Sequence, residues 1–336
     1  MKNKIVKIGN LTLEFQGSWI WIRKAFININ AQIEWLNENN INNYIEGKLH
    51  IIYRQSNDSF FDINNNKNNN SNKIIIGIKN WFDANSSILF QLAAILNNCV
   101  LVHGNCLITD KGTDAHIFTA KGGVGKTSML LEALHKDQKS FEFGGDDLVW
   151  INPVTKTVLP YYRPMCVYKY HYSTFKPVFK SIKIRFLSPS IIYRITNVLK
   201  INLQAILGNN KILDFYDSLN IVPNNRYYLL DPITFFNIEQ SKGIKIKSIG
   251  YLENANKFCR KEIDKAELIN LISSSTLDEF NTYSTILSDF CLEKFNMNFH
   301  DYLKSSVNLA LDNQNKYYKV NTTGKWSIKE IEKIIT

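Results

Sequence analysis

One octapeptide constrains this chain more than anything else in it: Ala120-Lys121-Gly122-Gly123-Val124-Gly125-Lys126-Thr127. Glycine admits backbone angles that other residues avoid, so a glycine-rich turn can point successive N–H groups inward at an anion. A lysine and a hydroxyl residue directly after such a turn suit a polyphosphate: Lys126 reaches the β/γ oxygens and Thr127 offers its hydroxyl to Mg²⁺. The spacing is that of the Gly-x-x-x-x-Gly-Lys-Ser/Thr phosphate loop, with Ala120 in the first glycine's place. His116–Thr119 before it is a short β-type run, and the stretch from Thr127 to Leu134 reads as a helix. Strand, loop and helix in that order are the context the motif requires, and the helix N-terminus adds a favourable dipole. The predicted nucleotide-binding residues are Gly122, Gly123, Val124, Gly125, Lys126, Thr127 and Ser128.

The rest of the chain must build a frame for that loop. Its 336 residues, 45% hydrophobic and 12% aromatic, suffice for one large domain or two ordinary ones. No apolar run reaches the roughly 18 residues of a membrane span, and the basic start lacks the apolar segment of a secretory signal. The five cysteines are scattered, with no Cys-x-x-Cys pair, which predicts buried reduced thiols in a cytoplasmic protein. The formal charge of +10 comes from dispersed lysines, without the basic and aromatic run of a nucleic-acid face. Nucleic acid and membrane are therefore not expected partners.

Periodicity predicts a β-rich N-terminal part over residues 1–85, with strands at Leu11–Gln16, Ser18–Arg23, Leu49–Arg54 and Ile74–Ile78. The asparagine tract Asn64–Asn72 reads as a mobile loop. A second region, 86–336, opens with a helix over Ser86–Asn98 and a buried strand over Cys99–Ile108. A further strand over Phe141–Ile151 should kink at Gly144-Gly145. The portion 160–336 should be partly helical, with helices at 191–207, 211–219, 263–273 and 282–295, and strands at 244–252 and 317–320. A closing helix over 327–335 would start on a Ser327/Glu330 capping box.

Asp146-Asp147 is the second chemical feature, at the start of an apolar strand. In phosphate-loop enzymes a strand-borne acid serves the metal, and a second acid can take a proton from an attacking hydroxyl. Neighbours in extended backbone point to opposite faces, so both reach one site only if the chain bends. His103, in the strand Cys99–Ile108, is the third feature, with Gly104 beside it suggesting close backbone approach.

The order His103-Gly104, phosphate loop, Asp146-Asp147-Leu148-Val149 resembles the HPr kinase/phosphorylase family and its looser relatives, the HPr-kinase-like serine and peptide kinases. The likeness spans Ser86 to Pro164. It implies an α/β fold with a phosphate-loop kinase core of the HPr kinase/phosphoenolpyruvate carboxykinase type, a β-rich N-terminal part and a partly helical C-terminal part. It also implies ATP and Mg²⁺ as cofactors. The acceptor would be a hydroxyl of a peptide, protein or small molecule, and a homo-oligomer would fit the family. Implied catalytic residues are Asp146, Asp147, His103 and Lys126, with Thr127 and Asp147 set at the metal, although the sequence does not decide which aspartate does which job. Arg163, between Tyr162 and Pro164, is the expected substrate clamp. The second signature of true HPr kinases, a Glu-x-Arg-Gly-Leu-Gly-Ile segment, is absent. That shifts the expected acceptor from HPr to a peptide, a free amino acid or another small hydroxyl compound. Lys121-Gly-Gly-Val-Gly-Lys-Thr127 also resembles the variant loop of partition and septum-positioning ATPases, which are assembly switches; a non-catalytic nucleotide-binding module is the third reading.

Overall fold

The strand Val100–Thr109 is apolar or small at nearly every position and is buried along almost its whole length, so it must lie inside a sheet covered on both faces. The computed structural model places it there. The structure describes residues 2–8, 11–23, 25, 48–57, 60–66, 71–78, 86–137, 140–159, 165–168, 227–230, 243–311 and 316–335. They form a mixed α/β structure. The chain divides into two units, Met1–Met165 with Asp231–Thr336, and Cys166–Leu230.

In the first unit the N-terminal sheet comprises β1 (Lys2–Ile8), β2 (Leu11–Gly17), β3 (Lys48–Gln55), β4 (Phe60–Asn66) and β5 (Ser71–Ile78), in the order β1-β2-β3-β5-β4. The three central strands run parallel, and β1 and β4 close the edges antiparallel. Phe15 stacks on Tyr53 across β2 and β3, with ring centroids 5.6 Å apart. The main sheet has eight strands: β6 (Val100–Thr109), β7 (Asp114–Thr119), β8 (Glu142–Gly145), β9 (Leu148–Asn152), β10 (Thr157–Leu159), β13 (Ile244–Asn254), β14 (Cys259–Glu262) and β15 (Lys316–Thr322). Its order is β10-β9-β6-β7-β13-β15-β14, with β8 also on β6. Strands β7, β13 and β15 are parallel, so their C-terminal ends share one rim. A two-stranded sheet pairs β11 (Met165–Tyr168) with β12 (Tyr227–Leu230).

Helices α1 (Ser86–Leu96) and α2 (Lys126–Lys136) pack on β6. Helices α3 (Lys265–Glu279), α4 (Ser284–Phe295) and α5 (Phe299–Ala310) pack together, with α3 and α5 also on β6. Helix α6 (Ile328–Ile335) packs on α2. Among the described residues, no helix is long and apolar enough to cross a membrane. The Ser327/Glu330 capping box forms, with Glu330 Oε2 accepting the Ser327 N–H at 2.9 Å.

Several expectations need correction. Residues 19–23 are helical, not a strand. Ser18 starts the turn by accepting the Trp21 N–H on Oγ at 3.4 Å. Trp21, Ile22 and Ala25 are buried, while Trp19 and Ile20 face solvent, a helical rather than alternating pattern. The asparagine tract is not all loop: Asn64, Asn65 and Asn66 pair with Lys73, Asn72 and Ser71, because hairpin pairing uses backbone groups that any side chain permits. The break after β8 falls at Asp146-Asp147, directly after the glycines. Cys99, Cys106 and Cys291 are buried as expected, but Cys259 is exposed at the sheet's edge. The expected helices over 191–207 and 211–219 lie outside the described residues, as does Arg163.

Candidate active site

Strand β7 delivers the loop, and Phe118, Thr119 and Ala120 are fully buried as it arrives. Gly123 (φ 79°) and Gly125 (φ 95°) then adopt left-handed backbone. Helix α2 starts at once on Lys126, and no side chain caps its N-terminus. Its first N–H groups therefore face the loop, where the helix dipole favours an anion. Lys126 is buried and lies back across the loop, its Nζ donating to Ala120 O at 3.0 Å and Lys121 O at 3.2 Å. Burial lowers its pKa, opposed by the charges of Asp147, Asp146 and Glu279. A phosphate would offer that ammonium a stronger acceptor than two neutral carbonyls.

The acids reach the loop through the break between β8 and β9. Both strands pair with β6, β8 beside 106–108 and β9 beside 100–103. Between them Leu148 N–H closes a tight turn on Asp146 O at 2.8 Å, and Asp147 sits at φ 69°. A non-glycine residue in that region costs on the order of 1–3 kcal/mol and persists only where its surroundings hold it. The hold here is Gly104 N–H donating to Asp147 O at 3.2 Å. Gly104 is needed for a second reason: a Cβ there would stand 2.8 Å from Phe118 O on β7.

This bend separates the two carboxylates. Asp146 turns inward and accepts the Thr127 hydroxyl at 3.0 and 3.2 Å. Burial and the neighbouring Asp147 charge push its pKa up to about 7, against the Thr127 hydrogen bond and Lys126. Asp147 stays about one-third exposed, with Oδ1 3.8 Å from His103 Nε2. His103 is buried on β6, and its backbone N–H donates to Thr276 Oγ1 of α3 at 3.1 Å. Asn105, two residues on and on the same face, donates to Lys126 O at 2.6 Å. The structure thus brings together Lys126, Thr127, Asp146, Asp147 and His103. The contact on Thr127 is made by Asp146, while Asp147, set with Thr127 at the metal from the sequence, lies on the His103 side.

Helix α3 contributes what the sequence reading omits. Glu279 Oε2 lies 3.9 Å from His103 Nε2, and Asp278 pairs with Lys121 Nζ at 3.2 Å. One signal was present: acids at a helix C-terminus oppose the dipole, and no basic residue balances them in that last turn. Trp326, beyond β15, donates its indole N–H to Gly125 O at 3.0 Å, a contact no local pattern encodes.

Carboxylates outnumber cations around Lys126, and one of them is buried and resists ionisation. Such a place suits a cation that arrives with phosphates, because Mg²⁺ is held by one or two carboxylates plus phosphate oxygens rather than by an all-protein cage. Among the described residues no group of three or more His, Cys, Asp or Glu converges as a metal site. A cavity of about 800 Å³ opens elsewhere, beside Asp114 and His116 at the start of β7, and none of the predicted site residues lines it. That cavity lies apart from Lys126 and Thr127. Comparison with protein-family models and with curated proteins finds no match for this chain.

Proposed function

We propose that this chain is an ATP-dependent phosphotransferase with an HPr-kinase-like phosphate-loop core. In this reading it moves the γ-phosphoryl group to a hydroxyl of a peptide, protein or small molecule. The observation that carries the proposal is the split acid pair, with Asp146 on the Thr127 hydroxyl at 3.0 Å and Asp147 by His103 at 3.8 Å. Two adjacent carboxylates in unlike environments can hold unlike roles.

Thr127 and Asp146 would hold Mg²⁺, directly or through water. When bound, the ion neutralises charge on the phosphates. Lys126 leaves its loop carbonyls for the β/γ oxygens and draws off charge from the transferring group. Asp147 accepts the proton of the acceptor hydroxyl as that oxygen forms its bond to the γ-phosphorus, the bond to the β–γ bridging oxygen breaks, and ADP leaves. His103 orients Asp147 from the buried strand β6, and Glu279 faces the same ring. Most of the rate would come from positioning and fixed charge, with one base adding about 10²–10⁴-fold.

The assembly-switch reading needs Lys121 to reach a partner subunit's nucleotide. In this chain Lys121 is largely exposed and pairs with Asp278 at 3.2 Å, a contact weak enough that a partner's phosphates could replace it, so self-association on ATP binding is the observation that would favour the switch. The test is phosphoryl transfer from γ-labelled ATP into cell extract, then into the isolated acceptor, with wild type and Asp147→Asn. Transfer should fall at least about 100-fold in the variant, with Mg-ATP affinity unchanged. Equal transfer by both proteins sinks the proposal.

A further inference from the structure

We propose that the C-terminal segment Thr322–Ser327 is a strap that presets the phosphate loop, and that Trp326 is its positioning residue for di- and triphosphate nucleotides. The inference rests on the loop's reading as a phosphate site and adds the element that holds it in shape.

The strap is fixed at both ends. It leaves β15 at Thr322, which is buried and accepts the Gly324 N–H on Oγ1 at 3.0 Å. Strand β15 runs parallel to β13, and β13 to β7, so Thr322 emerges on the rim where β7 releases the loop. Gly324 then turns the chain at φ 76°. At the far end Ser327 opens α6 through its capping box, and Ile331 and Ile334 bury that helix against α2. Between these anchors strap and loop meet backbone to backbone. A Cβ on Gly125 would stand 3.0 Å from both Cα and O of Gly324, and 3.3 Å from Trp326 Nε1.

The contact acts on peptide orientation. Trp326 Nε1 donates to Gly125 O at 3.0 Å, and the same carbonyl accepts the Met129 N–H at 3.0 Å, a backbone bond in the first turn of α2. A trans peptide is planar, with C=O and N–H pointing opposite ways. Pinning the Gly125 carbonyl toward strap and helix therefore turns the Lys126 N–H toward the loop opening. Asn105 does the same one peptide later, donating to Lys126 O at 2.6 Å and so turning the Thr127 N–H. Two successive donors are aimed by side chains 201 and 21 positions away in the chain. An oriented donor loses less freedom when phosphate arrives, which appears as affinity.

The test measures Mg-ADP and Mg-ATP binding calorimetrically for the full chain, with thermal melts alongside. Trp326→Phe keeps a ring and removes the donor. Its dissociation constants should rise about fivefold, the effect of one neutral hydrogen bond. Trp326→His retains a ring N–H and should recover part of the loss. Gly324→Ala leaves Trp326 intact but strains the turn, and should weaken binding to a similar degree. Ligand-free melting temperatures should stay within about 3 °C of wild type for the Phe variant, since the lost bond is single and partly exposed. Where Trp326→Phe unfolds, Gly324→Ala decides. Wild-type affinity in the folded variants overturns the strap proposal alone. A wild-type chain that binds neither nucleotide overturns the phosphate-loop reading and the strap with it.

Discussion

Replacing Asp146 with asparagine should stabilise the ligand-free protein while abolishing its response to Mg-nucleotide. The carboxyl is fully buried, and its pKa is pushed from 3.8 to about 7, first by burial and then by the Asp147 charge. Its folded-state pKa lies above its unfolded value, so its contribution to stability is complete below about pH 4 and is lost as pH rises through about 7. Each tenfold change in proton affinity is about 1.4 kcal/mol. The loss above pH 7 is therefore on the order of 4 kcal/mol, an upper bound because Lys126 shares the same buried surroundings. Asparagine is nearly isosteric, carries no charge, and can still accept the Thr127 hydroxyl. Melting at pH 8 should rise by about 5 °C, given roughly 1–2 °C per kcal/mol extrapolated to a chain of this length. At pH 4.5 the two melting curves should nearly coincide. Saturating Mg-ATP should raise the wild-type melting temperature and leave the variant's in place. A variant that melts lower at pH 8, or one whose advantage is as large at pH 4.5, would refute the account of Asp146 as a buried anion kept for a cation.

Gly104→Ala should cost about 1–3 kcal/mol in chemical denaturation, because its Cβ would stand 2.8 Å from Phe118 O and β6 and β7 would have to part. The same shift moves the donor that holds Asp147, so phosphoryl transfer should fall further than the stability loss explains. Asp278→Asn should change stability by less than about 1 kcal/mol, since its pair with Lys121 is mostly exposed and salt-screened. A larger change in the denaturation midpoint would mean that the pair closes the loop rather than decorating it.

The site's local parts were legible in the sequence because each has its own chemistry at short range. Gly122 to Thr127 are contiguous, Asp146 and Asp147 lead into an apolar run, and His103 stands out among apolar residues. Most of the main-sheet strands and the helices around 265–295 and 328–335 could be read from periodicity and capping. Helix α5 escaped notice although its signal is present: Asn298 caps it by accepting the Asp301 N–H at 2.9 Å, and Phe299, Tyr302, Leu303, Ser306, Val307 and Ala310 form one buried stripe. The Ser18–Arg23 reading failed because Trp-Ile-Trp-Ile offers no polar alternation to separate period two from period 3.6. What lay beyond sequence was convergence. Thr276 and Trp326 meet the site from 173 and 201 positions away, through groups that look like any surface threonine or tryptophan.

Adjacency of the two aspartates is itself informative. Acids on separate elements could be brought to one phosphate without distorting either. Here one peptide must send its two side chains to unlike places, and the chain accepts a left-handed Asp147 (φ 69°) to do so. That strain, of order 1–3 kcal/mol, would be relieved by glycine at 147 in a purely structural turn. In the proposed phosphotransferase reading position 147 is kept for its side chain, with Gly104 bonding Asp147 O and His103 facing the carboxylate. Asp147→Gly should thus melt no lower than wild type, and higher by up to about 1 kcal/mol of relieved strain, while losing phosphoryl transfer. Asp147→Asn should lose transfer with little gain in stability. A glycine variant that melts well below wild type would show that the carboxylate holds the turn, and the case for a base at this position would fall with that result.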